Sequence, residues 1–337
     1  MSTHPILLVG GSGTVGRWTA KFLREAHPDV PLLIGGRDLA KAEKVAADIG
    51  GAVGVKIDLS VDHLGLGERP VSAVAVLFTD ERVAGLRFAQ SRGVPYISIS
   101  PGIIEMGPEV AAFIHAPTAA PVVMGTEWLV GATTVPTLEF AKAFSRLDEI
   151  VVGALLDEQD AAGPAAYADL ERQTKTVPAA LARQDGAFVW RVGDDTKAEF
   201  HAADGTLMEA SAFSVYDVIG LATVTGAPNV RFSLALGVSS TRRGGEPMST
   251  EIIIELAGMD HDGFPLHTRH AVVHPDGQMP LTGLGVAMVL ERLIGLDGNP
   301  PTPAGLYFPY QLLDPAAYFD RFKQIGGVIL TLPHQTT

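Results

Sequence analysis

Cysteine is absent from this chain of 337 residues. That absence excludes disulfides, thiolate metal sites and cysteine nucleophiles, and no redox compartment can be read from thiol usage. Charge is scarce as well, at 19% of residues, and the positive sign is the scarcer: 25 Lys and Arg stand against 38 Asp and Glu, for a net charge of -13. Such a balance argues against nucleic acid or an anionic membrane as a partner, because both demand basic patches. No apolar run is long enough to span a bilayer. The most continuously apolar stretch, Leu281 to Ile294, is interrupted by Gly283, Gly285, Glu291 and Arg292 and reads as a buried helix of a soluble fold. The N-terminus carries no basic segment ahead of an apolar core, so the expected location is the cytoplasm. A G-x-S-x-G elbow and a P-loop lysine are also missing, which leaves hydrolase and phosphotransferase readings without support.

What is present is apolar and rich in glycine. With 47% apolar residues and enough length for two lobes, the chain can bury a large core. Its first apolar run, Ile6 to Val9, leads directly into Gly10-Gly11-Ser12-Gly13-Thr14-Val15-Gly16. Gly11, Gly13 and Gly16 satisfy G-x-G-x-x-G, and Val15, Trp18, Thr19, Phe22 and Leu23 then fall on one helical face. Strand, glycine turn, helix and a second strand at Leu32 to Ile34 make the setting in which this motif binds a dinucleotide pyrophosphate on a helix N-terminus. Gly10, Gly11, Ser12, Gly13, Thr14 and Val15 are the candidate phosphate-binding residues.

The end of the second strand selects between the two nicotinamide dinucleotides. An NAD site would place a carboxylate there for the ribose hydroxyls. This chain has Gly36, which leaves room for a phosphate, followed by Arg37, which can hold one bidentately, with Lys41 a helical turn further on. The predicted cofactor is NADP(H). The competing reading of Arg37 is a surface arginine paired with a nearby carboxylate. Asp38 is the expected N-cap of the next helix.

Strand candidates continue at Val53 to Ile57, Ser72 to Phe78, Pro95 to Ser100 and Ala120 to Met124, with helices from Glu81 to Arg92 and Glu105 to Ile114 between them. The expected fold class is α/β, a Rossmann doubly wound parallel sheet, whose ligands lie beyond the carboxyl ends of the strands. Asp58, Leu59, Phe78, Thr79 and Ser100 occupy such ends and join the candidate cofactor residues. From about Leu147 the pattern changes to alternating strands, clearest in Thr250 to Leu256 and Pro265 to His274, with helices expected at Pro164 to Arg183 and Tyr216 to Thr225. The second lobe is thus an inserted α+β domain on a mostly antiparallel sheet. The predicted division is 1–130 and 278–337 for a discontinuous cofactor domain and 131–277 for a substrate and dimerisation domain.

The glycine turn, the Gly35-Gly36-Arg37-Asp38 strand end, Tyr96-Ile97-Ser98 after Gly93-Val94-Pro95, and the tail from Pro303-Ala304-Gly305-Leu306 through Asp314-Pro315 to Ile325-Gly326-Gly327 together resemble the saccharopine dehydrogenase-like (saccharopine reductase) family. The resemblance covers essentially the whole chain. It implies a cofactor domain split by an inserted lobe, a homodimer formed partly through that lobe's sheet, and NADP-linked oxidoreductase chemistry, often at carbon–nitrogen bonds. Two departures bear on the substrate: the chain is shorter than the enzymes that make saccharopine, and Gly125-Thr126-Glu127-Trp128 stands where relatives tend to carry a glycine and proline loop.

Hydride transfer asks the protein to position the reacting carbon and to protonate or stabilise the atom that gains charge. Glu127 is a candidate general acid or ammonium ligand, with Trp128 as an apolar wall; a solvated loop glutamate beside a core tryptophan is the alternative. Tyr96 is a second catalytic candidate and equally a core strand residue. Arg243, next to Arg242, is a candidate for a substrate carboxylate or a plain solvated loop arginine. His267, His270 and His274 are not taken as a metal site, because residues four apart in a strand lie about 13 Å from one another. The function read from sequence is an NADP(H)-dependent oxidoreductase of a small imine or amine. The alternatives are reduction of a C=O or C=C bond, or a catalytically silent NADP sensor.

Overall fold

The computed structural model describes residues 4–99, 102–103, 106–176 and 179–333. Its first strand follows from the first apolar run, since Ile6–Val9 (β1) has only apolar side chains and is buried along its whole length. A strand covered on both faces belongs inside a parallel sheet. After it come Thr14–Ala26 (α1), Leu32–Gly36 (β2), Leu39–Ile49 (α2), Ala52–Lys56 (β3), Ala73–Val76 (β4), Ala84–Arg92 (α3), Tyr96–Ser98 (β5), Met106–His115 (α4) and Pro121–Met124 (β6). The six strands pair side by side in the order β6-β5-β4-β1-β2-β3, all parallel, with β1 and β4 at the centre.

The remaining elements are Thr134–Ala141 (α5), the long strand Phe144–Asp157 (β7), Pro164–Thr176 (α6), Ala179–Gln184 (β8), Ala187–Val192 (β9), Lys197–His201 (β10), Leu207–Ala212 (β11), Asp217–Thr225 (α7), Asn229–Gly237 (β12), Ser240–Arg243 (α8), Thr250–Asp260 (β13), Pro265–His274 (β14), Gln278–Ile294 (α9), Gly305–Tyr307 (β15), Pro315–Gln324 (α10) and Val328–Thr331 (β16). β15 joins β6 in parallel as a seventh strand of the first sheet. A second sheet of nine strands runs β10-β11-β12-β7-β13-β14-β16, with β8 on β12 and β9 on β8; only β7 and β12 pair in parallel. The fold is therefore α/β, a doubly wound parallel sheet accompanied by a second unit on a mostly antiparallel sheet.

The chain divides into two compact units. One holds Met1–Thr126, Gly163–Ala166 and Thr282–Asp314, and the other Glu127–Ala162, Tyr167–Leu281 and Pro315–Thr337. In the first, α9 lies against α1 at Gly283, where a Cβ would come within 2.6 Å of Trp18 Cβ, so only glycine permits this approach. Leu284, Leu290 and Leu293 on the same helix are 0% exposed. Each contributes about 1.5–3 kcal/mol of apolar burial.

Three expectations are corrected, and one strand was not foreseen. Residues 315–337 belong with the second unit and not with the first, because β16 adds to the edge of β14. The helix expected through Arg183 ends at Thr176, and Ala179–Gln184 instead forms a hairpin with β9 around Asp185 and Gly186, both at positive φ (49° and 82°). Helix α3 begins at Ala84 and not at Glu81, because Asp80 Oδ2 accepts the Gly85 N–H at 2.8 Å and Val83 sits at φ 54°. β15, three residues with no long apolar run, had no periodic signal to reveal it.

Candidate cofactor and substrate sites

The glycine turn is built by contacts that exclude side chains. Gly10, at φ 87°, would put a Cβ 2.9 Å from the Phe78 ring, and Gly11 would put one 2.8 Å from the Leu8 carbonyl. The Gly10 and Gly11 N–H groups both donate to the Gly35 carbonyl, at 2.9 and 3.1 Å, which ties the turn to β2. Helix α1 opens at Gly13, which has no side chain to cap it, and its first turn contains no acidic residue. The amide N–H groups of Thr14 and Val15 are thus left for an external acceptor, the arrangement that holds a phosphate. Gly16 is the tightest point: a Cβ there would lie 2.5 Å from Gly11 Cα. Gly16→Ala is expected to push α1 off the turn, to cost about 1–3 kcal/mol of stability and to weaken dinucleotide binding at least tenfold. A thermal melt with a binding titration checks this, and unchanged values would show that the close approach is dispensable.

At the end of β2, a Cβ on Gly36 would meet Ser12 Oγ at 3.1 Å, so this strand end lies directly against the turn. Arg37 and Lys41 are exposed beside it. Neither side chain forms an ion pair or hydrogen bond with any of the described residues. The carboxylate next to them is already engaged, since Asp38 Oδ1 accepts the Lys41 N–H at 3.1 Å as the N-cap of α2. After β3, the exposed Asp58 carboxylate accepts the Ser60 hydroxyl and N–H at 2.5 and 2.9 Å, and these bonds hold its pKa below the usual carboxylate value. Leu59, Phe78 and Thr79 are half-buried at their strand ends. Ser100 lies outside the described residues, as do Pro101 and Glu105.

Tyr96 is a structural residue, which corrects its candidacy as a catalyst. It opens β5, so it stands at the amino end of the strand and not at the carboxyl end where ligands bind. Its side chain is 0% exposed, and its hydroxyl donates to Glu109 Oε1 at 2.9 Å, while the Ser98 hydroxyl donates to Oε2 at 2.9 Å. Burial pushes the Tyr96 pKa well up and the neighbouring carboxylate adds to that. Burial also raises Glu109, against the two hydroxyl donors.

Arg243 is likewise committed. Its Nε and Nη2 grip Asp204 at 2.7 and 2.8 Å, and Nη1 donates to the Val238 carbonyl. Asp204 is held far below its usual pKa by this pair. Arg242 spans Asp157 and Glu158 at 2.7 and 2.9 Å. Both arginines clamp the loops of the second unit, because a bidentate carboxylate pair already uses the fork that a substrate would need.

Glu127 and Trp128 open the second unit, and both are tied down. Glu127 is 4% exposed and its Oε2 accepts the Thr134 hydroxyl at 2.7 Å. The reading of a solvated loop glutamate does not survive that burial. The Trp128 ring packs against Phe213 and Phe232, with centroids 5.8 and 5.3 Å away, and its backbone N–H donates to Asp217 Oδ2 at 2.7 Å. The next three residues, Leu129, Val130 and Gly131, all have positive φ (53°, 56° and 93°), and the turn is closed by the Val130 N–H on the Glu127 carbonyl. A buried β-branched residue in the left-handed region costs about 1–3 kcal/mol and persists only where its surroundings enforce it.

Asp217 is the residue that sequence reasoning missed. It is 1% exposed at the start of α7, and burial raises its pKa to about 7 against the lowering pull of the Trp128 N–H and the nearby Thr133 hydroxyl. The signal was there to read: it is the lone charged residue of a largely apolar helix. Its Oδ1, the Trp128 indole N–H, the Thr133 hydroxyl and the Tyr318 hydroxyl are buried without a hydrogen-bond partner among the described residues.

These features define a two-unit fold with a dinucleotide-type glycine turn. No protein-family model matches the chain, and no curated protein sequence matches it. Solved structures do resemble it. Saccharopine dehydrogenase (L-Glu forming) from Saccharomyces cerevisiae aligns over 98% of this chain and 100% of its own, with a TM-score of 0.62 at 13% identity. The homospermidine synthase of Legionella pneumophila, in complex with NAD, aligns over 98% and 92% with a TM-score of 0.63 at 11% identity. Amine dehydrogenase from Mycobacterium smegmatis aligns over 93% and 97% with a TM-score of 0.53 at 13% identity. The chain has the saccharopine dehydrogenase-like fold, so the likeness seen in the glycine turn and the tail extends to the architecture.

Proposed function

We propose that this protein is an NADP(H)-dependent oxidoreductase that moves a hydride to or from the carbon of a small imine or amine. The observation that carries the cofactor choice is Arg37, exposed at the end of β2 beside Gly36 and unpaired among the described residues, with Asp38 used up as a helix cap. Gly11, Gly13 and the amides of Thr14 and Val15 hold the pyrophosphate; Arg37 and Lys41 hold the 2′-phosphate. The bound nicotinamide supplies or accepts the hydride. The C–N choice is supported by the kinds of protein that share the fold, among them an amine dehydrogenase and a saccharopine dehydrogenase.

Calorimetry tests the cofactor. A lost charge-assisted phosphate contact costs about 1.5–3 kcal/mol, so Arg37→Ala is expected to weaken NADPH about tenfold or more and to leave NADH nearly unchanged. Equal loss for both would remove the NADP assignment. Nicotinamide oxidation measured over a panel of imines, ketones and enones then tests the bond type.

The proposed partner is a second copy of the chain. Among the described residues strand β9 is bonded on one side only, by β8, and Phe188 and Trp190 on it are each 49% exposed. Sedimentation at micromolar protein is expected to give twice the monomer mass, and a monomer would overturn this.

A further inference from the structure

We propose that a cleft in the second unit, between the β8–β9 hairpin and strand β10, binds a small organic molecule through its carboxylate, with Arg191 and Ser233 as the residues that hold it. The inference goes beyond the redox reaction proposed above and does not rest on it.

The cleft has a volume of about 460 Å³, and every residue that lines it belongs to the second unit. Sites for small molecules fall in the range of about 300–1,000 Å³. Its cause is a fork in the sheet: β7 takes one edge of β12, while β11, at Ser233 and Leu234, and β8, at Val230, share the other. The two hairpins diverge from that shared edge and leave a gap between them. Four basic residues and one acidic residue line it, Arg183, Arg191, Lys197 and Arg231 against Glu199, although acids outnumber bases in the chain.

Alternation along the strands sorts these side chains. The pairing register puts Arg191, Arg231 and Ser233 on one face together with Phe200, and turns Arg183, Lys197 and Glu199 to the other. On the first face the Phe200 ring lies over Gly153, where a Cβ would come within 2.5 Å of it, and makes an apolar wall. Arg231 is exposed, and its Nη1 is spent on Glu149. Arg191 is the open cation. It is half-buried, its Nη2 donates to the Lys197 carbonyl at 3.2 Å, and it forms no ion pair with a described residue. Its remaining N–H groups suit the two oxygens of a carboxylate.

Ser233 supplies the second, independent contact. It is 4% exposed and lines the cleft, yet its hydroxyl makes no hydrogen bond with any described residue. A buried hydroxyl in that state is costly until a partner completes it. The charge of the site selects among ligands. A cation is repelled by Arg191 and Arg231, and a single open guanidinium balances one negative charge, which favours a carboxylate over a dianionic phosphate. The apolar wall of Phe200 and Val151 then receives the carbon skeleton.

Calorimetry on the full chain tests the site with benzoate as the probe, and with benzyl alcohol, benzylammonium and inorganic phosphate as the neutral, cationic and second anionic controls. Saturable binding of benzoate, about tenfold or more tighter than any control, is the expected result. Arg191→Gln should weaken benzoate about tenfold or more, and Arg191→Lys, which keeps the charge and loses the fork, several-fold, with circular dichroism unchanged. Ser233→Ala provides a second arm. It should weaken benzoate several-fold, whereas a merely structural hydroxyl would shift the melting temperature and leave the affinity alone. Equal binding of benzyl alcohol would reduce the cleft to an apolar groove, and equal binding of phosphate would remove the carboxylate assignment; either overturns the proposal. So does the absence of saturable binding, or an Arg191→Gln variant that binds benzoate as well as the parent. Turnover with NADPH is not part of this readout, so failure of the oxidoreductase reading leaves the site standing, and the reverse holds too.

Discussion

Asp217→Asn is expected to stabilise the protein by about 4 kcal/mol at pH 8 and by almost nothing at pH 4. The sign follows from linkage. The folded state raises this carboxyl from 3.8 to about 7, so the native protein binds a proton more tightly than the unfolded chain does. Asp217 therefore favours folding fully below pH 3.8, and that contribution falls as pH rises, to be gone once the pH passes about 7. At about 1.4 kcal/mol per unit, the shift amounts to about 4 kcal/mol. Asparagine keeps the bond from the Trp128 N–H and has no charge to lose. Other groups tilt the full profile: burial raises Asp160 in the same sense, while His270 and His274, lowered by burial, favour folding at higher pH. The difference between variant and parent cancels them. Denaturant melts of both proteins from pH 4 to 8 give the measurement, and parallel curves would show that the carboxylate is solvated. Glu127 is a second buried carboxylate of the same unit, so Glu127→Gln serves as the control.

Glu127→Gln is expected to lower turnover about 100-fold on a substrate found by the imine and amine panel, with NADPH affinity within a factor of a few. The substitution is isosteric and keeps an oxygen for the Thr134 hydroxyl, so loss of rate is not loss of fold. The argument is from sequence: β6 ends at Met124, Gly125 and Thr126 continue from the carboxyl end of that strand, where such folds keep their ligands, and Glu127 is the next residue of the chain. Unaltered kinetics would assign Glu127 to structure alone.

Much of the first sheet was legible because its signals are local. Ile6 to Val9 has no polar residue, and the glycines that follow are required by contacts within a few residues of themselves or with the next strand. Pro265 to His274 was readable to the residue for the same reason, since a run of extended residues bounded by a turn carries its own limits. The failures share a different cause. Tyr96 and Arg243 looked available because their partners, Glu109 and Asp204, lie on other elements, and nothing in the spacing of the chain announces them.

By itself the sequence determined the doubly wound first sheet, the glycine turn, the Gly36-Arg37 strand end, and the exclusion of thiol chemistry, because hydrophobic period, glycine geometry and cysteine content are properties of short segments or of the whole composition. Only the tertiary structure decided which polar groups are spent and which are left. It sent residues 315–337 to the second unit through β16, buried Glu127 on Thr134, and brought Asp217 to Trp128 across 89 positions of chain. The physical reason is that a hydrogen bond or a desolvated charge depends on what surrounds it in space. Helix α7 encodes an apolar face with one carboxylate in it, but the cost of that carboxylate, and hence its chemistry, arises only when the rest of the unit closes over it.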